Sequence, residues 1–473
     1  MACIVLILVL FVSVHSTNAA VSEDEVTFLP GLDEQPPWRQ YSGYLQASGT
    51  KKFHYWFFES ARYLISDPVI MWLNGGPGCS SLLGLFTENG PFRVLPNKTL
   101  VYHPYSWNRI ANMLYLESPA GVGMSYSDDK YYRTNDDETS VDNYLAILDF
   151  FNKYPEFKNN NFYITGESYG GIYIPTVSSL VIGNLDINFK GMAIGNAMEN
   201  YDTNENAHLY LAYYHGLIGK DLWQDLINYC CNGTLKERCM FTLHQDQPHC
   251  KDTFNAAHAI VFEGDLNYFN IYNECHNSPY LKFDKNRGKY TTSAANWMFP
   301  SVKRFQKEAE FLRSLPIEKV RLTEACLDTS HVEDYLNSPE VRKAIHIPDF
   351  IPEWQPVSAV VSHSYVSVYP DMSKQHLQVL AAGKRTMLYN GDVDMACDFL
   401  GESWFVHDLK LTVVEPRKAW FYQAEDNTSQ VGGFIKKYKN LDLVTVRGAG
   451  HLSPSDKPRE VLQMLINFLN EEM

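Results

Sequence analysis

The chain has 473 residues, 45% hydrophobic and 14% aromatic, enough to bury a large core and fill roughly two to three domain-sized units. A net charge of −15 without a basic stripe excludes nucleic acid as the main partner, because a phosphate backbone draws Lys- and Arg-rich surfaces. With neither internal repeats nor low-complexity segments, it is a folded, enzyme-sized protein and not a tail or linker.

The apolar run Ile4 to Val14, followed by Ser16-Thr17-Asn18-Ala19-Ala20, predicts a secretory signal over residues 1–20. The run is too short to cross a bilayer, and no later segment is long and apolar enough, so no membrane span is expected. Cleavage near Ala20 removes Cys3 and leaves Cys79, Cys230, Cys231, Cys239, Cys250, Cys275, Cys326 and Cys397, which in a secreted chain favours disulfides over thiols. The adjacent Cys230-Cys231 pair suits no tetrahedral zinc site, so neither metal nor cofactor is expected. The sequons at Asn97, Asn232 and Asn427 predict glycosylation on the same route.

Val69 to Leu73, Met113 to Leu116, Phe162 to Thr165 and Met192 to Ile194 read as buried strands. Between the second and third, Val141, Tyr144, Leu145, Leu148 and Phe151 form an apolar stripe at helical spacing that ends before Pro155. Strand, helix, strand in this order predicts an α/β protein with a mostly parallel sheet. The style returns late, with strands at Thr386 to Tyr389 and Leu443 to Val446. Helix starts are predicted at Ser338-Pro339-Glu340 and Asp456-Lys457-Pro458, with a capping side chain beside a proline, and the last helix buries Val461, Leu465 and Phe468. Between these blocks strand-like runs thin out, and Cys230, Cys231, Cys239, Cys250, Cys275 and Cys326 gather. The expected organisation is a first core part over 21–200, a disulfide-tied cap insertion over 201–327 and a second core part over 328–473.

The sharpest chemical signal is Gly166-Glu167-Ser168-Tyr169-Gly170, placed between a strand and a helix, where a strained turn presents a serine for attack. A nucleophilic serine needs a base and a carboxylate that holds it, and on such a sheet the chain order is serine, acid, histidine. Downstream, Tyr389-Asn390-Gly391-Asp392-Val393-Asp394 and Gly448-Ala449-Gly450-His451 each follow a predicted strand. Spacing alone does not choose between Asp392 and Asp394. Glycine-rich Asn74-Gly75-Gly76-Pro77-Gly78-Cys79-Ser80-Ser81 follows another strand and can aim a backbone N–H at an oxyanion, together with the N–H of Tyr169. No Gly-Lys-Ser/Thr follows it, which disfavours a phosphate loop.

These motifs, with ESPAGVGMSYSDD from Glu117 to Asp129 and GAGHLSPSDKP from Gly448 to Pro458, make the chain resemble the serine carboxypeptidase family over nearly its whole mature length. The resemblance implies an α/β-hydrolase fold, a triad of Ser168, Asp394 and His451, and oxyanion donors at Gly76 and Tyr169. It also implies that Asn74, Gly75, Glu88 and Glu167 bind the terminal carboxylate of a peptide. Two close carboxyls cannot both ionise cheaply, so one keeps a proton and can donate to that carboxylate, which predicts activity in acid. The implied disulfides are Cys230–Cys250, Cys231–Cys239 and Cys275–Cys326.

Relatives usually bond the cysteine of GPGCSS to one shortly after a tryptophan, but here Trp354 is followed by Gln355-Pro356-Val357. Cys79 and Cys397 are therefore two thiols or a pair, with thiols favoured. The resemblance implies that Leu83, at a position polar in several relatives, and Leu452, where methionine is common, stand in the pocket and keep its lining apolar, consistent with large hydrophobic terminal residues. Lys303-Arg304, Arg313, Lys319 and Arg321 offer cleavage positions for an activating excision, or belong to an ordinary charged helix. Peptide substrates are the expected partners. The competing readings are an esterase, deamidase or acyltransferase on the same fold, and an added binding role, since one family member stabilises lysosomal glycosidases. Relatives often form homodimers, and no residue pattern here decides that point or lysosome against secretion.

Overall fold

The short apolar runs become strands of one sheet. Residues 19–472 are described by a computed structural model, except 236–237, 263–265, 276–281, 285–288, 294–306, 308–309, 313, 317–318 and 324–325. The expected signal therefore lies outside the described residues up to position 18, as do Lys303, Arg304 and Arg313.

The strands are β1 (Gln40–Gln46), β2 (Lys51–Phe58), β3 (Val69–Leu73), β4 (Asn112–Leu116), β5 (Phe162–Ser168), β6 (Phe189–Ala197), β7 (Arg385–Gly391), β8 (Val413–Gln423), β9 (Ser429–Tyr438) and β10 (Leu441–Val446). Their order in an 11-stranded sheet is β1-β2-β4-β3-β5-β6-β7-β10-β9-β8, and Tyr126–Ser127 pairs with β2 outside that path. From β4 to β10 every neighbouring pair is parallel. Each edge carries an antiparallel hairpin that the apolar runs did not announce, because its side chains are mixed in polarity. β3 shows how a fully buried strand is read: Ile70 and Trp72 join one core, while Val69, Met71 and Leu73 join the other on the opposite face.

Helix α1 (Asp136–Lys153) covers the expected stripe but is rotated from it. Its buried apolar face is Ala146, Ile147, Phe150 and Phe151, whereas Val141 is exposed. The β1–β2 hairpin causes the rotation: Ser48 N and Lys51 Nζ donate to Asp142 at 3.1 and 2.6 Å, and Gln46 N donates to Asp149 at 2.8 Å. Buried carboxylates need such partners, and the helix turns to supply them. The predicted capped starts also differ in detail. Neither helix Pro339–Ala344 nor the last helix, Pro458–Asn470, has a side-chain cap, and the Asp456 carboxyl instead reaches back to the histidine loop.

Past β6 the chain leaves the sheet for α2 (Tyr201–Tyr214), α3 (Lys220–Cys230) and α4 (Pro248–Phe262). Disulfides Cys230–Cys250, Cys231–Cys239 and Cys275–Cys326 tie this region together. It has its own apolar cluster, with Leu209, Trp223, Phe241 and Phe254, and that cluster includes Val393, Met395 and Ala396 from the loop after β7. The three-stranded sheet Lys282–Asp284, Lys289–Ser293 and Val320–Thr323 lies in the same stretch. Arg321 sits in its last strand, buried and ion-paired with Glu333. That corrects the expectation that Arg321 is a cleavage position: a protease needs an exposed, extended backbone. No helix among the described residues is long and apolar enough to cross a membrane.

Candidate active site

β5 runs unbroken into Ser168, which takes φ +59°, a left-handed backbone that a non-glycine residue adopts only when its surroundings impose it. The constraint comes from both sides. Met198 N donates to Ser168 O at 2.9 Å, and Gly75 lies so close that a Cβ there would sit 2.3 Å from Tyr169 N. The glycine-rich loop after β3 is thus pressed against the nucleophile turn. Tyr169 opens the helix Gly170–Val181, and its hydroxyl donates to buried Asp136 at 2.8 Å and accepts from Ser367 Oγ at 2.8 Å, which fixes the residue whose N–H the sequence assigns to the oxyanion.

Asp394 and His451 leave the ends of β7 and β10. His451 Nδ1 and Asp394 Oδ2 are 2.8 Å apart, and both residues are buried. The same carboxylate accepts Ala396 N at 2.8 Å, Cys397 N at 3.1 Å and Asn196 Nδ2 at 2.8 Å. Asn196, at the end of β6, was missed by sequence reasoning; its place after a predicted strand was the available signal. Asp392 accepts Gly448 N at 2.7 Å and so ties the two loops without facing the imidazole.

Ser168 and His451 line one cleft with Asn74, Gly75, Gly76, Cys79, Leu83, Glu88, Glu167, Phe269, Leu327 and Leu452. Asn74 Oδ1 accepts Trp72 Nε1 at 2.7 Å and Gly84 N at 3.1 Å, which turns its Nδ2 toward the acids. That amide donates to Glu88 Oε1 at 3.1 Å and Glu167 Oε1 at 2.8 Å, so one group bridges two buried carboxyls. Burial raises the pKa of Glu88, opposed by hydrogen bonds from Glu167 and Asn74. Glu88 is therefore no surface residue.

Cys79 and Cys397 are in no disulfide, and burial pushes the Cys397 thiol up. Backbone bonds hold the Cys79 loop instead: Ser80 N to Pro356 O at 2.9 Å and Ser358 N to Gly78 O at 2.8 Å, with Trp354 Nε1 donating to Ser80 Oγ at 3.0 Å. Among the described residues, no group of three or more His, Cys, Asp or Glu side chains is disposed to hold a metal. Asn97, Asn232 and Asn427 are all exposed.

A family model described as serine carboxypeptidase matches residues 30–471. The chain belongs to the serine carboxypeptidase family. This carboxypeptidase is 45% identical to the mouse lysosomal protective protein over 473 residues, covering 99% of the chain and 98% of that protein. It is 39% identical to the Caenorhabditis elegans serine carboxypeptidase ctsa-4.1, covering 98% and 97%. Among solved structures, a prohormone-processing carboxypeptidase of Saccharomyces cerevisiae superposes with a TM-score of 0.72 at 21% identity, covering 95% of this chain and 96% of that one, and so shares the α/β-hydrolase fold.

Proposed function

We propose that this enzyme is an acid-active serine carboxypeptidase that releases hydrophobic carboxy-terminal residues from peptides through an acyl-enzyme. His451 takes the proton of Ser168 Oγ as that oxygen attacks the last peptide carbonyl, and Asp394 holds the imidazole and balances its charge. The N–H groups of Gly76 and Tyr169 receive the oxyanion. Collapse expels the terminal amino acid with the proton from His451, and water then hydrolyses the ester on Ser168. Asn74, Gly75, Glu88 and Glu167 bind the terminal carboxylate, while Leu83, Leu327 and Leu452 offer the apolar wall.

The observation that carries this reading is the Asn74 amide bridging Glu88 and Glu167 in the wall of the cleft that holds Ser168. A buried acid that keeps its proton recognises a carboxylate; an esterase needs no such group. The test is kcat/KM from about pH 4 to pH 8 on a blocked dipeptide and on its amide, with Ser168→Ala as control. Activity on the free acid, strongest at low pH and lost in the variant, is expected. Equal activity on both at neutral pH would move the assignment to esterase or amidase.

We further read residues 21–200 and 328–473 as one hydrolase core with 201–327 as its cap, a sheet drawn from both parts supporting the division. A lysosomal or secreted location fits the name of the mouse relative and the exposed sequons. Glycosidase binding and a homodimer are additional readings, tested by co-purification and sedimentation of the Ser168→Ala protein, which retains the surface without the chemistry.

A further inference from the structure

The cap reaches His451 directly. Just before Cys275 the chain runs through Tyr268, Phe269, Asn270 and Ile271, turned by Asn267, whose Oδ1 accepts Phe269 N at 3.1 Å and Asn270 N at 3.2 Å. This segment is laced to both loops of the triad. Met395 N donates to Tyr268 O at 2.8 Å and Ile271 N to Val393 O at 3.2 Å, which seizes the residues on either side of Asp394. His451 N donates to Phe269 O at 2.6 Å. Asn270 Nδ2 and Gly450 N both donate to Asp456 Oδ2, at 2.8 and 2.7 Å. The approach is so close that a Cβ on Gly450 would lie 2.1 Å from Phe269 O, which explains a glycine before the histidine.

The Phe269 ring lies face to face with the His451 imidazole, centroids 4.7 Å apart and planes 14° from parallel. A hydrogen bond from Nδ1 to Asp394 fixes one edge of the imidazole but does not by itself stop the plane from rocking about that bond. A flat ring packed on the face removes that freedom. The negative face of the phenyl also attracts the imidazolium that forms when Ser168 gives up its proton.

We infer that Phe269 is a positioning residue for His451, and that Tyr268–Ile271 is the joint through which the cap completes the triad. The inference rests on the carboxypeptidase reading, since it takes His451 as the base. It makes the cap a working part of the hydrolytic centre, and not only its cover.

The test uses the full-length protein and an ester substrate without a free carboxylate, so that ionisation of Glu88 does not enter the profile. Phe269→Leu should lower kcat about tenfold with a smaller change in KM, and should move the acidic limb of kcat/KM down by about half a pH unit, as loss of a cation–π contact requires. Phe269→Tyr, which keeps the ring, should restore the limb. If Phe269→Leu fails to fold, pentafluorophenylalanine at position 269 preserves the shape and reverses the potential of the face, and should shift the limb the same way. An unmoved limb in the ring-altered protein, with only KM changed, would reduce Phe269 to a pocket wall and overturn the inference. If the ester is cleaved through Ser168 while peptides with free carboxyl termini are not, the carboxypeptidase reading fails and the limb still decides Phe269. Absence of Ser168-dependent activity on both substrates overturns both.

Discussion

Asn196 donates its amide to Asp394 Oδ2, the same oxygen that faces His451 Nδ1. The amide is itself oriented, because Asn196 Oδ1 accepts Gly391 N at 3.1 Å and Ser453 Oγ at 3.0 Å. Asn196 therefore joins the ends of β6 and β7 to the helix turn after His451. Its removal leaves Asp394 one donor short and the carboxylate free to tilt. Asn196→Ala is expected to lower kcat by about ten- to a hundredfold, the worth of a hydrogen bond to a charged group, with little change in KM. Steady-state kinetics on the ester and the peptide should show the same loss.

The acid pair predicts a different pattern. Glu88→Ala should raise KM for a peptide with a free terminus by roughly ten- to a hundredfold and leave the blocked amide untouched. Burial holds the Glu88 proton to higher pH than an ordinary glutamate, so carboxylate recognition is strongest in acid and fades as the pair ionises. Glu88→Gln keeps a neutral donor and should flatten that decline. A Gln variant that tracked the wild-type pH profile would contradict the assignment.

Stability should also depend on pH from two sides. Burial raises Asp398 to about 8, helped by nearby Asp394 and opposed by the backbone bond from Gly401. The folded chain then holds a proton that the unfolded chain releases in the ordinary carboxylate range, so this contribution is complete in acid and is lost as pH climbs through about 8. Asp398→Asn can still accept from Leu400 N and Gly401 N and should flatten the loss, worth about 1.4 kcal/mol per pH unit. Urea midpoints between about pH 5 and pH 8 would show it.

In the cap the sign reverses. Burial lowers His258 to about 3, and its ring stacks on Phe254 with centroids 4.3 Å apart. The unfolded chain takes up a proton below about pH 6.5 that the folded chain refuses, so stability is lost as pH falls from there. His258→Phe should reduce that loss, and melting temperatures in mild acid should rise relative to wild type while those at neutral pH stay within a few degrees.

Limited proteolysis should spare Arg321, which is buried against Glu333, while exposed Lys319 remains open to attack. If cuts fall between Cys275 and Cys326, the chains should separate on reducing gels and stay together without reductant, because that disulfide spans the interval. Separation without reductant would show that the bond does not hold the two pieces.

The amino-acid order alone dictated the parallel centre of the sheet, because buried strands such as Val69–Leu73 must be apolar on both faces and announce themselves as uninterrupted runs. It also determined the order of serine, acid and histidine, since each follows a strand and local chemistry places it there. The edge hairpins and the rotation of α1 came from tertiary partners: Lys51 and Ser48 turn Asp142 inward, and no spacing within the helix records them. The same holds at the site. Ser168 was legible because its turn is local, but Asn196 on Asp394, Asn270 on Asp456 and Phe269 on His451 are contacts between residues far apart in the chain, and only the folded sheet and its cap bring their surfaces within reach.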